Sequence, residues 1–140
     1  MANALYPLWK QELLKTTNNA NVALNSVEGA TGVFCALVDT GTYIYSAAHQ
    51  YYSSLSGVVG TDQEVLTKTQ VNGVFAGTNL TYTAVSGVSC EALVLYRKNA
   101  GANTTWALIA YIDTGVTGLP VTPNGGNITI TWNASGIFQL

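Results

Sequence analysis

Residues 92–112 read ALVLYRKNAGANTTWALIAYI, which is two apolar runs separated by a short polar segment. The first run extends from Ala92 to Tyr96 and the second from Trp106 to Ile112. Each run has the length of one strand, and the segment 99–105 between them contains the glycine and asparagine residues that are typical of a loop. We therefore predict an antiparallel hairpin at the centre of a β-sheet.

Strand patterns continue on both sides of this hairpin. The apolar run Val33–Val38 is typical of a strand that is covered on both faces. Near the C-terminus Ile128, Ile130 and Trp132 alternate with threonines, which predicts a strand with one face in the core. Because the strands are short and no βαβ alternation occurs, the sequence predicts an all-β fold, an antiparallel β-sandwich of jelly-roll type. Further short strands are predicted at 22–24, 65–69, 74–76 and 80–84.

Two short helices accompany the predicted strands. An apolar stripe at helical spacing predicts a short N-terminal helix or arm with Pro7 in its first turn, and this stripe has to be buried on the protein's own body or on a neighbour. A similar spacing within 47–55 predicts one short internal helix that ends before Gly57. We divide the chain into an arm, 1–20, and a single β-sandwich domain, 21–140. The stripe consists of Leu5, Leu8, Trp9 and Leu13.

Charged residues are scarce in this chain. Among 140 residues there are only 5 Lys and Arg and 7 Asp and Glu, and the net charge is -2. Nucleic-acid binding needs clustered cations, so no nucleic-acid partner is expected. Apolar runs far shorter than the roughly 20 residues of a membrane span, and the lack of a basic and apolar leader, predict a soluble protein with no membrane partner. Cys35 and Cys90 lie in apolar segments, where free thiols are expected and a buried disulfide is the alternative.

Catalytic and metal-binding motifs are not recognisable in the sequence. The single histidine, His49, has no second titratable group at a motif spacing. The carboxylates could in principle supply a glycosidase pair, but most of them flank predicted strands or turns, where they keep edges and turns soluble. The two Asp-Thr-Gly sequences at 39–41 and 113–115 resemble aspartic-protease signatures, but we interpret them as turns that end strands. We predict no enzyme activity, no cofactor and no metal.

Aromatic residues are the stronger signal for binding. Tyrosine and tryptophan supply large rigid contact areas and are frequent at the energetic centres of interfaces. They cluster in the predicted arm and in the segment 43–52. The candidate interface residues are Leu5, Tyr6, Leu8, Trp9, Leu13, Tyr43, Tyr45, Tyr51 and Tyr52.

Several blocks of the sequence are distinctive: MANALYP at 1–7, ALVDTGTY at 36–43, YSAAH at 45–49, LSGVVG at 55–60, EALVLY at 91–96, LIAYID at 108–113 and GLPVTPNGG at 118–126. Together these blocks resemble a known family, the capsid cement (decoration) proteins of tailed bacteriophages. The resemblance covers nearly the whole chain and implies a jelly-roll protein on the outer surface of the virion, made in the cytoplasm of the bacterial host. It also implies homodimers that bridge adjacent major capsid proteins of HK97-like fold, and it brings no catalytic or metal motif.

The sequence thus favours a non-enzymatic cement protein whose partners are the major capsid protein and a second copy of itself. Attachment through the arm implies that removal of residues 1–15 weakens binding to shells without unfolding the sandwich. The main alternative is a carbohydrate- or receptor-binding module of a phage fibre, with exposed tyrosines as sugar platforms. A tail-tube or head-completion subunit, which would form rings, is a third possibility.

Overall fold

Short β-strands make up most of the regular secondary structure. The protein is represented by a computed structural model that describes residues 2–15, 23–24, 28–29 and 31–140. Single 3-10 turns occur at Tyr52–Ser54 and Asn103–Thr105. The other elements are β1 (Ala4–Leu5), α1 (Pro7–Leu13), β2 (Gly32–Val38), β3 (Val58–Glu64), β4 (Thr69–Val71), β5 (Val74–Ala76), β6 (Leu80–Tyr82), β7 (Ala92–Lys98), β8 (Ala107–Ile112), β9 (Ile128–Ile130) and β10 (Phe138–Gln139).

The largest sheet has five strands in the order β1-β8-β7-β2-β3, and all of its neighbouring pairs are antiparallel. The predicted hairpin is confirmed, since β7 and β8 pair from Leu93 with Ile112 to Arg97 with Ala107. Strand β2 pairs with β7 along its full length. Its neighbouring residues Ala36 and Leu37, whose side chains point to opposite faces, are both fully buried, which confirms that β2 is covered on both sides.

Two smaller sheets accompany the large one, with the orders β10-β5-β4 and β6-β9. The hydroxyl of Tyr82 in β6 donates a hydrogen bond of 2.8 Å to the carbonyl oxygen of Cys35 in β2, so a small sheet is fastened to the large one through the core. The chain passes from β3 to the small sheets, returns for β7 and β8, and leaves again for β9 and β10. The predicted fold class, an all-β antiparallel sandwich, is confirmed.

The alternation predicted near the C-terminus is also observed. Ile128, Ile130 and Trp132 are buried in the core, while Thr129 and Thr131 between them are exposed. This strand therefore has one apolar face packed in the sandwich and one polar face outside it.

The N-terminal segment is part of the sandwich. Strand β1 pairs with β8, with Ala4 opposite Tyr111, and helix α1 begins at Pro7 as predicted. Tyr6 and Trp9 are 0% and 1% exposed, and the Trp9 ring meets Phe138 edge-on with 5.8 Å between ring centroids. Of the apolar stripe, Trp9 is thus buried on the protein's own body, Leu5 and Leu8 are partly buried, and Leu13 is exposed.

The internal helix predicted for 47–55 was wrong. Only the 3-10 turn at Tyr52–Ser54 is helical there, because the backbone of this segment forms hydrogen bonds with residues at the start of β8. Tyr51 forms a bridge with Ala107, and the amide of Tyr52 donates to the carbonyl oxygen of Trp106 at 2.8 Å. Pairing with the start of β8 therefore replaces the internal hydrogen bonds that a helix needs.

The short strands were placed with mixed success. The strand predicted at 74–76 is observed, and the strand predicted at 80–84 is observed only over Leu80–Tyr82. The strand predicted for 65–69 was misplaced, since β3 ends at Glu64 and β4 begins at Thr69. Between them Thr67 has a φ of 49°, a left-handed conformation that interrupts an extended strand. In the strand predicted at 22–24, Val22 lies outside the described residues, and residues 23 and 24 are not in a strand.

Cys35 and Cys90 are buried free thiols, as the sequence predicted. Burial raises the pKa of Cys35 to about 12, so this thiol stays protonated and packs as a small apolar side chain. Helix α1, with seven residues, is too short to cross a membrane, and no other helix in the described ranges could do so.

Candidate functional site

The candidate interface residues fall into different surroundings. Tyr6, Tyr43 and Tyr45 come together in one cluster, with 5.1 Å between the ring centroids of Tyr6 and Tyr45. Tyr52 belongs to a second aromatic group, and Tyr51 takes part in the bridge to Ala107. The remaining residues belong to the N-terminal segment: Trp9 is in the core, Leu5 and Leu8 are partly buried, and Leu13 is 38% exposed.

The first Asp-Thr-Gly sequence forms the turn that ends β2. The Asp39 carboxylate accepts hydrogen bonds from the amide of Gly41 at 2.8 Å and from the hydroxyl of Thr42 at 2.7 Å. The amide and hydroxyl of Thr40 both donate to Glu91. The carboxylate of Asp39 is thus engaged by its own turn, as expected for a structural turn.

The second Asp-Thr-Gly sequence is also a turn. The side-chain oxygen of Asn3 accepts hydrogen bonds from the amides of Asp113 and Thr114, at 2.7 and 3.0 Å, and the Asn3 amide group donates back to the Thr114 carbonyl oxygen. The interpretation of both sequences as turns after strands is confirmed.

The loop that follows the first turn, 42–45, is fixed by hydrogen bonds of its buried residue Tyr43. Tyr43 is 2% exposed, and its hydroxyl lies 2.7 Å from the hydroxyl of Tyr6 and 2.9 Å from Nδ1 of His49. Burial, followed by the hydrogen bond to Tyr43, raises the pKa of Tyr6 far above its usual range. The tyrosine hydroxyls therefore act as neutral structural groups, and their hydrogen bonds fix the loop to the N-terminal segment.

Glycine is required on the other side of this loop. Gly57 has a φ of +61°, and a Cβ at this position would lie only 2.8 Å from Cβ of Thr42. The amide of Asp39 donates to the Gly57 carbonyl oxygen at 2.9 Å, so the two backbones are in direct contact. The loop 42–45 thus packs closely against the segment that leads into β3.

Ile44 is the residue that this loop presents to solvent. It is 78% exposed, although its neighbours Tyr43 and Tyr45 are buried or partly buried. The Tyr45 ring also lies 5.6 Å from the ring of Tyr111, centroid to centroid. A large apolar side chain is therefore exposed to water on a loop whose two flanking tyrosine rings are packed in place, so little ordering of this loop would be needed for a contact with another molecule.

A second candidate site is an aromatic hollow of about 330 Å³ beside β3 and β7. Phe34 and Tyr96 are paired across β2 and β7 and their rings stack at 6.0 Å. The rings of Tyr96 and Trp106 lie nearly parallel, at an interplanar angle of 10° and 5.8 Å between centroids, and Tyr52 meets Tyr96 at 4.5 Å. These aromatic residues form a continuous wall.

Charged side chains complete the hollow. Oδ2 of Asp62 accepts hydrogen bonds from the hydroxyls of Tyr52 and Tyr96, at 2.9 and 2.7 Å, whereas its buried Oδ1 has no hydrogen-bond partner among the described residues. Desolvation raises the pKa of Asp62, while the two tyrosine hydrogen bonds and the charge of Lys98 oppose that rise. The Lys98 ammonium lies 4.9 Å from the ring centroid of Phe34 and 5.0 Å from that of Trp106.

The sequence alone did not identify Ile44 or most of this hollow. Ile44 is a single aliphatic residue between tyrosines, and only the burial of its neighbours shows that it is the exposed member. The hollow depends on strand register, which places Phe34 beside Tyr96. The predicted hairpin contained a usable signal, since it brings Trp106 close to the end of the strand that carries Tyr96 and Lys98.

No group of three or more metal-binding side chains occurs in the described ranges. Comparison with known proteins gives no assignment: no protein-family model matches the chain, and no curated protein matches it significantly. The exposed Ile44 on its loop and the aromatic hollow are the two candidate binding features of the described residues.

Proposed function

We propose that this protein is a non-enzymatic virion structural protein. It binds the outside of an HK97-like icosahedral capsid and cements neighbouring major capsid proteins against the internal pressure of the genome. The observation that carries the proposal is the exposed Ile44 on its fixed loop. The resemblance of the sequence to phage cement proteins supplies the partner.

The physical argument starts from the rigidity of the loop. Because Tyr43 is hydrogen-bonded to Tyr6 and packed in the core, little conformational entropy is lost when Ile44 enters a pocket on a partner. Complete burial of an isoleucine side chain contributes about 1.5–3 kcal/mol. Such an apolar contact is modest for one molecule, but it is repeated at every equivalent site of a shell.

Cementing requires that one unit hold two capsid proteins at once. A homodimer with two-fold symmetry presents two copies of the Ile44 loop, and the second contact then forms at a high effective concentration. Two modest contacts combined in this way resist separation of the capsid proteins more strongly than either contact alone. Dimerisation is therefore part of the proposed mechanism.

Substitution of Ile44 tests the proposed contact. Purified shells of the phage or prophage that encodes the protein are mixed with purified variants, and bound protein is measured after sedimentation. We expect Ile44→Asp to weaken attachment by roughly 10- to 100-fold, because the apolar contact is lost. Val71→Asp is the matched control, since Val71 is another exposed aliphatic residue, at 62%, but lies in β4 of a small sheet. We expect this control to change the attachment by less than about twofold.

Unchanged attachment of Ile44→Asp would contradict the role of this residue. The copy number of the protein in purified particles, measured by quantitative mass spectrometry, then tests the function as a whole. A number close to that of the major capsid protein supports cementing. A few copies per particle would instead favour a carbohydrate- or receptor-binding fibre module, and isolated rings would favour a tail-tube or head-completion subunit.

A further inference from the structure

The aromatic hollow beside β3 and β7 plays no part in the proposed cement contact through Ile44. Its walls are nevertheless well organised, because the hydroxyls of Tyr52 and Tyr96 both donate to one oxygen of Asp62. The indole N–H of Trp106 is also engaged, donating to the carbonyl oxygen of Gly101 at 3.0 Å. The rings are thus fixed before any ligand arrives, which removes part of the entropy cost of binding.

The volume and the openness of the hollow to solvent suit a small ligand. Its roughly 330 Å³ lies at the lower end of the ~300–1,000 Å³ range of small-molecule sites. Trp106, Tyr52 and Phe34 are each partly exposed rather than fully buried. A ligand can therefore pack an apolar face against these rings.

The charges of the hollow indicate which ligand class fits. Asp62 and Lys98 carry opposite charges, so the site as a whole attracts neither cations nor anions strongly. The ammonium of Lys98 lies over the rings of Phe34 and Trp106, so a cationic ligand would meet a like charge at these rings. An anionic ligand would be placed beside the carboxylate of Asp62.

We propose that this hollow is a binding site for a neutral saccharide. A sugar ring offers an apolar C–H face to Tyr52 and to the part of Trp106 beside Lys98. Its hydroxyls accept a hydrogen bond from Lys98 and bond with the hydroxyl of Thr61, an exposed residue that lines the hollow. Asp62 acts as a positioning residue, since it fixes the two tyrosine rings through their hydroxyls. This site is independent of the proposed attachment to a shell.

Titration of the full-length protein with neutral disaccharides tests the proposal. The probes are maltose, lactose, mannobiose and chitobiose at millimolar concentration, followed through the indole N–H resonance of Trp106 by NMR. We expect at least one probe to give a saturable shift. Glucuronic acid and glucosamine, which carry opposite charges, serve as charged comparison ligands and are expected to bind more weakly.

Variants locate the site and control for folding. Trp106→Ala is expected to weaken binding by about tenfold or more, as read from ligand-observed NMR. Lys98→Met keeps the aliphatic stem over the rings and removes the ammonium, so it should weaken binding even if Trp106→Ala fails to fold. Thr81→Ala, an exposed position in β6, is the matched control and should bind like the unmodified protein.

Three results would overturn the proposal. These are the absence of a saturable shift with all four disaccharides, equal or tighter binding of either charged sugar, and unchanged binding in Lys98→Met. Each of these leaves the cement proposal untouched, because the titration uses the isolated protein, and loss of shell attachment in Ile44→Asp leaves the saccharide site untouched. The two proposals therefore fail separately.

Discussion

Asp62 shows how a single carboxylate can organise a surface while remaining costly to bury. Its Oδ2 receives two tyrosine hydroxyls, but its buried Oδ1 has no partner within the described part of the chain. Leaving such an oxygen unpaired costs about 1–3 kcal/mol. The same residue fixes the rings of Tyr52 and Tyr96. Asp62 therefore lowers the stability of the fold through its unpaired oxygen while it holds the aromatic surface rigid.

This residue should make stability depend on pH. The pKa of Asp62 is raised in the folded protein, chiefly by desolvation, so the folded state binds this proton more tightly than the unfolded state does. The associated stability is present below the unfolded pKa of about 3.8 and is lost as pH rises through the higher pKa of the fold. Asp62→Asn removes this titration.

We therefore expect the free energy of unfolding of the unmodified protein, relative to that of Asp62→Asn, to fall as pH rises from about 4 to 7. Urea unfolding at several pH values in this range measures the difference, and Asp39→Asn serves as a comparison at a partly buried carboxylate of a turn. A difference that stays constant, or grows with pH, would contradict the assigned effect of burial on Asp62.

Single residues also show where sequence reasoning succeeded and where it failed. The sequence singled out the tyrosines at 43–52 as interface residues, but Tyr43 lies in the core, and Ile44 is the residue that is exposed to solvent. Residue type does not specify which of three neighbouring apolar residues is turned outward. The outward position of Ile44 follows from the hydrogen bonds of Tyr43. One joins Tyr43 to Tyr6, which is distant in the sequence, and the other joins it to His49 in the next turn.

At the level of elements, the N-terminal segment is a strand and a helix of the sandwich. Strand β1 occupies one edge of the five-stranded sheet beside β8, and α1 buries Trp9. Deletion of residues 1–15 would remove both elements together with the hydroxyl partner of Tyr43. We now expect this truncation to destabilise the whole fold, so the earlier expectation of an intact sandwich is replaced.

Trp9→Ala tests this placement without shortening the chain. A tryptophan that is 1% exposed leaves a large cavity on truncation, and we expect the free energy of unfolding to fall by about 3–5 kcal/mol. The matched control is Leu14→Ala, just after the helix, where the side chain is 86% exposed and the expected change is below about 0.5 kcal/mol. Denaturant unfolding measures both, and equal effects would contradict the packing of α1.

The predictability of each element follows the range of its decisive contacts. Strands β2, β7, β8 and β9 were recognised because apolar runs or alternation are local signals. The segment 47–55 has helical spacing too, yet its backbone pairs with the chain at the start of β8. The amide of Leu108 donates to the carbonyl oxygen of Gln50, and the amide of Tyr52 donates to that of Trp106. Pairing with residues more than 50 positions away overrode the local pattern, and strand register beyond the hairpin was equally out of reach of the sequence.

For the molecule as a whole, scarce charge has a consequence for assembly. With a net charge of -2 and only five cationic side chains, the protein has little means of steering itself to a shell by long-range attraction. The proposed contact through Ile44 is apolar, and apolar contacts are not screened by ions as charge pairs are. Attachment should therefore depend on surface fit more than on ionic strength.

We expect the amount of protein bound per shell at a fixed subsaturating concentration to change by less than about twofold between 50 and 500 mM NaCl. Screening shortens from a Debye length of about 14 Å to about 4 Å over this range, so an interface held by exposed ion pairs would release much of its protein. Sedimentation of shells with bound protein at each salt concentration measures the effect. The shells alone, checked for integrity at every salt concentration, are the control. A steep loss with salt would show that charges on the capsid protein meet the few charges of this chain, and the apolar Ile44 contact would then not be the main source of affinity.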